Sequence, residues 1–228
     1  MVKIGVINLR IEDQHINFEF IIRYIRELVS DDIFALYDFA VGKDIPVAKP
    51  ETTKLLYLIT LIKSPGRVLE IGSGVGSSAA VISKALPENG SILTIEKDFE
   101  NYYEAKKLFS ANNLSEKIKI INGDGLEILE ELVKKEEKFD LIFLDGAKLQ
   151  YLPSYPYIKS LLSSGGVWIS DNVLYKGMVA SDELMEKRKR TIVKSLRQFL
   201  DKISHDKDFH TVVIPIGDGV SLAVKQNK

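Results

Sequence analysis

Four side chains near two strand ends could carry chemistry in this sequence. The apolar stretch FDLIFLD over residues 139–145 reads as a buried strand ending on Asp145. GVWISD over 166–171 ends on Asp171, with Asn172 directly after it. Ligands of an open α/β sheet bind beyond the carboxyl ends of its strands, so neighbouring strands would bring Asp145, Asp171 and Asn172 together. Two carboxylates and an amide oxygen suit a hard cation such as Mg²⁺ or Mn²⁺. Acids after strands also serve as plain loop caps, so the weight lies on the whole set. Lys148 stands three residues after Asp145, where the turn leaving the strand can aim it into the same pocket. An amine beside a bound cation can act as a general base, although a solvated surface position is the commoner fate of lysine. The chain has no cysteine and no Ser/His pair, and His15, His205 and His210 are scattered. A direct displacement without a covalent intermediate fits that inventory.

A second group of residues precedes this one. In RVLEIGSGVG over residues 67–76, Val68, Leu69 and Ile71 form a short apolar strand with Glu70 near its end. Gly72, Gly74 and Gly76 follow with Ser73 between them, and a helical pattern rich in Ala, Val and Ile covers 77–86. Strand, glycine turn and helix N-terminus make a corner for an adenosine-containing cofactor, or simply a tight structural turn. The dinucleotide pattern G-x-G-x-x-G is not met, because the third glycine comes one residue early and position 77 is Ser. Glu96 ends the strand SILTIE, where an acid can accept from ribose hydroxyls. Asp124 lies just past the strand at 117–121, placed to meet an adenine amino group, to cap the helix over 126–135, or both.

The rest of the chain must position these ends. Strands at 68–71, 91–96, 117–121, 139–145 and 166–171 alternate with helices at 77–86, 99–113 and 126–135 and with a helix that contains 157–162 and is opened by Pro153 or Pro156. That alternation predicts a parallel sheet with crossover helices. A long polar helix is expected over 182–203, then strands at 211–216 and 220–225 joined by Gly217-Asp218-Gly219, a connection short enough only for an antiparallel hairpin. Upstream, apolar spacing predicts helices over 17–29 and 30–41 and, after the connector DIPVAK, over 51–63 with Pro50 in its first turn. Residues 1–228 therefore read as one α/β domain: a helical cap over 1–65 and a catalytic core over 66–228. The 228 residues carry 45% hydrophobic and 28% charged side chains and a formal net charge of −1, so any nucleic-acid contact would need a local basic patch. No apolar run reaches membrane-spanning length and no signal peptide is evident, which implies a cytoplasmic protein with no membrane partner.

From Arg67 to Lys225 this order resembles the class I S-adenosylmethionine-dependent methyltransferases: E-x-G-x-G-x-G, an acid after the second strand, Gly-Asp after the third, and a closing antiparallel hairpin. The resemblance implies a Rossmann-like, mostly parallel seven-stranded sheet. It implies that Glu70 faces the methionine amino group, that the turn at Gly72 and Ser73 passes under it, and that Ser78 and Ala48 lie near the methionine carboxylate. Glu96 then holds the ribose, Asp124 and Gly125 face the adenine, and Asp145 is shared between cofactor and cation. The Asp…Lys and Asp-Asn pair further resembles the divalent-cation-dependent O-methyltransferases, the group of catechol and caffeoyl-coenzyme A O-methyltransferases. There the cation chelates two vicinal substrate oxygens, and the residue matching Lys148 takes the hydroxyl proton. Small-molecule members read D-A-D-K where this chain reads DGAK, with Ala147 in place of the second acid. DGAKLQY, SDNVLYKGMVA, EKRKRT, IPVAKPET and VVIPIGDGVSLAVK look closer to the bacterial tRNA 5-hydroxyuridine methyltransferases. That likeness implies methylation of the wobble 5-hydroxyl to 5-methoxyuridine. The cations Lys176, Lys187, Arg188, Lys189, Arg190, Lys194 and Arg197 would then meet phosphates of the anticodon loop, unless they form a solvated helix face. The alternative acceptor is a small catechol-like or caffeoyl-type phenol. A homodimer is also implied. A nicotinamide oxidoreductase and a non-enzymatic RNA-binding module are the readings from other classes.

Overall fold

The computed structural model describes residues 48–227. The helices expected over 17–29 and 30–41 lie outside the described residues, as does most of the proposed 1–65 cap. The first described element is α1 (Pro50–Lys63), which opens on the proline, where a missing N–H costs nothing.

Seven strands form one sheet. They are β1 (Arg67–Ile71), β2 (Ser91–Glu96), β3 (Ile118–Asn122), β4 (Phe139–Leu144), β5 (Leu162–Ser170), β6 (Phe209–Ile214) and β7 (Val220–Lys225), in the order β3-β2-β1-β4-β5-β7-β6. The first five pair in parallel, and β7 runs antiparallel to both β5 and β6. This is the Rossmann-like sheet with a terminal hairpin that the sequence predicts. Between the strands lie α2 (Ser77–Ala85), α3 (Phe99–Ala111), α4 (Gly125–Lys134), α5 (Tyr151–Leu161) and α6 (Arg190–His205).

The strands read as continuous apolar runs because both faces of the sheet are covered. Along β4, Leu141 and Phe143 enter the core that holds Leu56, Ala79, Ile82 and Phe109 from α1, α2 and α3. Ile142 and Leu144 face the other way, into the core with Leu129, Tyr155, Leu196 and Phe199 from α4, α5 and α6. Val167, Trp168 and Ile169 of β5 alternate in the same manner. The buried Trp168 ring meets Tyr155, Phe199 and Phe209 with centroids 5.4, 5.6 and 5.9 Å away.

Four expectations need correction. The helix over 182–203 is two 3₁₀ turns, Asp182–Leu184 and Lys187–Lys189, followed by α6 from Arg190. Only α6 has an apolar stripe to bury, at Val193, Leu196, Phe199 and Ile203, whereas 182–189 offer Leu184 and Met185 amid charges. The helix expected to open at Pro153 or Pro156 and to contain 157–162 spans Tyr151–Leu161, with Pro153 in its first turn, Pro156 inside and Leu162 already in β5. Strand β5 starts at Leu162 rather than 166, across a register shift between Phe139 and Leu141. Strand β6 spans Phe209–Ile214 and stops before Pro215, which has no N–H for a ladder. Among the described residues, no helix is long and apolar enough to cross a membrane.

Candidate functional site

Backbone hydrogen bonds continue one residue past the central strands and fix the acids side by side. Asp145 N–H donates to Ile71 O at 2.9 Å and Asp171 N–H to Leu144 O at 3.1 Å. The ends of β1, β4 and β5 therefore advance in register, which places Asp145 and Asp171 on adjacent strands at one edge of the sheet.

Between the end of β1 and the end of β2 lies a cavity of about 670 Å³, a size that suits a small-molecule cofactor. Ala48, Gly72, Ser73, Ser78, Glu96, Gly125 and Asp145 all line it, so these residues of the expected cofactor set meet in one space. Glu70 lies buried, with Oε2 accepting from Thr94 Oγ1 on the neighbouring strand and Oε1 without a partner. Burial chiefly pushes its carboxyl up to about 7; the nearby Ser78 hydroxyl and the Thr94 bond oppose this, and the charges of Asp145 and Glu96 add to it. Glu96 is tied into the glycine turn: Gly74 N–H donates to Oε2 at 2.7 Å and Asp98 N–H to Oε1 at 2.8 Å.

Asp124 does several things at once. It caps α4 by accepting from Leu126 N–H at 2.9 Å, and it accepts from Lys97 Nζ at 3.0 Å and Gln150 Nε2 at 3.3 Å. The Lys97 bond, then the Leu126 N–H and Gln150, hold its carboxyl below the usual range against partial burial. The early third glycine has a packing reason as well. Gly76 sits at φ 88, and a Cβ there would lie 2.6 Å from Phe109 Cε1, inside any real contact distance. Helix α2 can start under α3 only if this residue has no side chain.

At the other end, Lys148 Nζ donates to Asp145 Oδ1 at 2.9 Å, to Tyr151 Oη at 2.7 Å and to Asp171 O at 3.3 Å. The Tyr151 hydroxyl, fully buried, lies 2.8 Å from Asp171 O and 3.1 Å from Leu144 O. Tyr151 thus joins the ends of β4 and β5 to Lys148. Asp171 Oδ1 accepts from Asn172 N–H at 2.7 Å, while its buried Oδ2 has no partner. Burial raises the Asp171 carboxyl to about 7, and the Asp145 charge pushes the same way. Asn172 adopts φ 55. Among the described residues no three His, Cys, Asp or Glu side chains gather as a metal cluster; the set expected from the sequence is two acids and an amide. It fits a cation chemically, because a buried carboxylate oxygen without a donor beside a second carboxylate is relieved by positive charge.

The basic residues are less concerted. Lys176 and Arg190 are exposed, and Arg188 is exposed and pairs with Glu186 at 2.9 Å. Arg197 is committed to the fold: it donates to Val179 O at 2.9 Å and Met178 O at 3.2 Å and pairs with Asp182 at 2.8 Å. It is not a free phosphate ligand, and this corrects its place in the basic cluster. Tyr151, Thr94, Gln150, Lys97 and Phe99, which the strand-end and glycine-turn motifs do not include, also join or line the site. Tyr151 alone had a signal, its spacing of three from Lys148.

Comparison with known proteins agrees with this geometry. The O-methyltransferase family model matches residues 30–226. An Arabidopsis thaliana protein named for the caffeoyl-CoA O-methyltransferases is 32% identical over 168 residues, 73% of this chain and 72% of its own length. The caffeoyl-CoA O-methyltransferase of Populus kitakamiensis is 29% identical over 185 residues, 79% of this chain and 77% of its own. A solved O-methyltransferase from Bacillus cereus in complex with SAH superposes with TM-score 0.80 at 22% identity, covering 91% of this chain and 97% of that one. With the family model spanning nearly the whole chain and the sheet order matching, this chain belongs to the O-methyltransferase family and is an enzyme that transfers a methyl group to oxygen.

Proposed function

We propose that the enzyme uses S-adenosylmethionine, assisted by a divalent cation, to methylate one of two vicinal oxygens on a small catechol-like or caffeoyl-type phenol. The observation that carries this reading is Asp145 in the wall of a cofactor-sized cavity, bonded to Lys148 and beside Asp171, whose buried Oδ2 has no partner and which Asn172 follows in the chain. The caffeoyl-CoA relatives support a phenol over the tRNA acceptor expected from the sequence strings.

Glu70 would pair with the methionine ammonium, Ser78 and Ala48 would flank its carboxylate, and Glu96 would take the ribose through the lone pairs left beside Gly74 and Asp98. Asp124 and Gly125 would face the adenine. Asp145, Asp171 and Asn172 would hold Mg²⁺ or Mn²⁺. When bound, the cofactor supplies an electrophilic methyl and the cation supplies positive charge beside the acceptor oxygen. The chain does the rest. Acting as the base, Lys148 would keep two N–H bonds, to Tyr151 Oη and Asp171 O. Its lone pair then replaces the N–H now given to Asp145, and it accepts the hydroxyl proton at Nζ. Tyr151, immobile in the core, holds that nitrogen in place.

A second reading, 5-hydroxyuridine at a tRNA wobble position, is kept by the exposed Lys176, Lys187 and Arg188 and by Lys189, whose Nζ lies 5.7 Å from the Tyr175 ring centroid. That base also presents adjacent oxygens. The deciding assay incubates the enzyme, S-adenosylmethionine and Mg²⁺ with catechol, caffeate and caffeoyl-CoA in parallel with 5-hydroxyuridine tRNA. Mass spectrometry then counts methyl groups. A methylated phenol is expected. Methylation of tRNA alone would hand the site to the second reading, and no methylation of either would overturn both. Sedimentation of the same sample checks the expected homodimer.

A further inference from the structure

The turn Gly217-Asp218-Gly219 between β6 and β7 reaches across to the loop that follows β5. Val173 N–H donates to Gly219 O at 2.9 Å, Leu174 N–H to Asp218 O at 2.9 Å, and Lys176 N–H to the Asp218 carboxylate at Oδ1. The loop needs such a clamp. Asn172, Tyr175 and Lys176 have φ of 55, 45 and 57, a left-handed backbone that strains any residue bearing a side chain. Approach is close enough that a Cβ on Gly219, at φ 85, would stand 2.3 Å from Leu174 Cγ. The other side of the turn touches the cofactor end, where Lys49 Nζ donates to Gly217 O at 3.1 Å next to Ala48 of the cavity wall. The negative charge of Asp218 is also felt at Asp171.

We propose that Asp218 is a positioning residue for the cation-holding end of the site: its carboxylate accepts the Lys176 N–H, keeps the strained segment 172–176 folded back on the hairpin, and so fixes Asp171 and Asn172 against Asp145. The inference rests on the proposed cation role of those three residues. A hydrogen-bond acceptor at the right place, rather than charge, is what the loop requires. Substituting such a supporting residue typically weakens metal binding by about ten- to a hundredfold.

The test titrates Mn²⁺ alone into the full chain, read by electron paramagnetic resonance, with S-adenosylhomocysteine affinity measured by calorimetry on the same samples. Asp218→Asn keeps the acceptor and loses the charge; Asp218→Glu keeps the charge and moves the acceptor by a methylene; Asp218→Ala removes both. Expected are Mn²⁺ binding within about threefold of wild type for Asn, and at least about tenfold weaker for Glu and Ala. S-adenosylhomocysteine affinity should stay within about threefold throughout. If the alanine variant does not fold, the Glu and Asn pair decides alone. Wild-type Mn²⁺ affinity in the Glu or Ala variant overturns the proposal, as does an Asn variant as weak as they are, or an equal loss of S-adenosylhomocysteine binding. A wild-type chain that binds no Mn²⁺ overturns the cation role itself, and this inference with it.

Discussion

Glu70 should make cofactor binding depend on pH. Its carboxyl is fully buried, one oxygen lacks a partner, and burial holds it at about 7 against an ordinary 4.5. An ammonium group placed against it pairs only with the ionised form. Below pH 7 the free protein must first release that proton, so the observed association constant scales as 1/(1 + 10^(7 − pH)). The affinity for S-adenosylhomocysteine should then be about fivefold weaker at pH 6 than at pH 7, and about 25-fold weaker at pH 5.5 than at pH 7.5. Calorimetry in two buffers of different ionisation enthalpy should show close to one proton released at the acid end. Glu70→Gln should bind more weakly at neutral pH and lose the slope. An affinity flat across that range in the wild type, or an unchanged slope in Glu70→Gln, would refute the reasoning. The same raised value has a stability consequence of fixed sign. Between about 4.5 and 7 the native chain keeps a proton that the unfolded chain has lost, so Glu70 lowers the stability of the cofactor-free enzyme as pH rises through that window. The loss is roughly 3 kcal/mol at full ionisation.

Three further outcomes are expected. Lys148→Ala should lower turnover by about a hundredfold or more and yet tighten Mn²⁺ binding, because it removes the ammonium 2.9 Å from Asp145 Oδ1; weaker Mn²⁺ binding by resonance titration would contradict that placement. Tyr151→Phe strips the hydroxyl from Lys148 and Asp171 O. It should cost about 1–3 kcal/mol in denaturant unfolding and lower kcat while leaving KM for S-adenosylmethionine unchanged. Gly76→Ala places a methyl 2.6 Å from Phe109 and should drop the thermal midpoint by several degrees, an overpacking cost of about 1–3 kcal/mol.

Much of the fold was legible because its strands are short apolar runs that stop at acids and glycines. Strand β2 matches its predicted limits, and β1 and β4 differ from theirs by at most one residue. Helix limits failed where local propensity competed with packing. Segment 182–189 carries helix-favouring charges but no apolar stripe, so it folds as two short turns rather than extending α6. The strand-end acids could be foreseen, since their geometry follows from sheet position alone. Thr94 and Asp218 could not, because their roles depend on contacts across 24 and 42 residues of chain, and the spacing of Tyr151 from Lys148 gives no hint of its bond to Asp171 O 20 residues on. Such partners follow from strand order and turn shape, which periodicity does not encode. Arg197 shows the converse: it reads as part of a phosphate-binding run, and only the path of 178–182 commits it to backbone carbonyls.

Asp145, Asp171 and Asn172 are proposed to hold a cation that methyl transfer requires. The most direct test is single-turnover transfer of labelled methyl from S-adenosylmethionine to catechol, by enzyme stripped with a chelator and then given Mg²⁺. Expected are no methylated product in the stripped wild type, full recovery with Mg²⁺, and no recovery in Asp171→Ala that still binds S-adenosylhomocysteine. Equal transfer with and without the chelator, or full Mg²⁺ recovery in Asp171→Ala, would contradict the cation role.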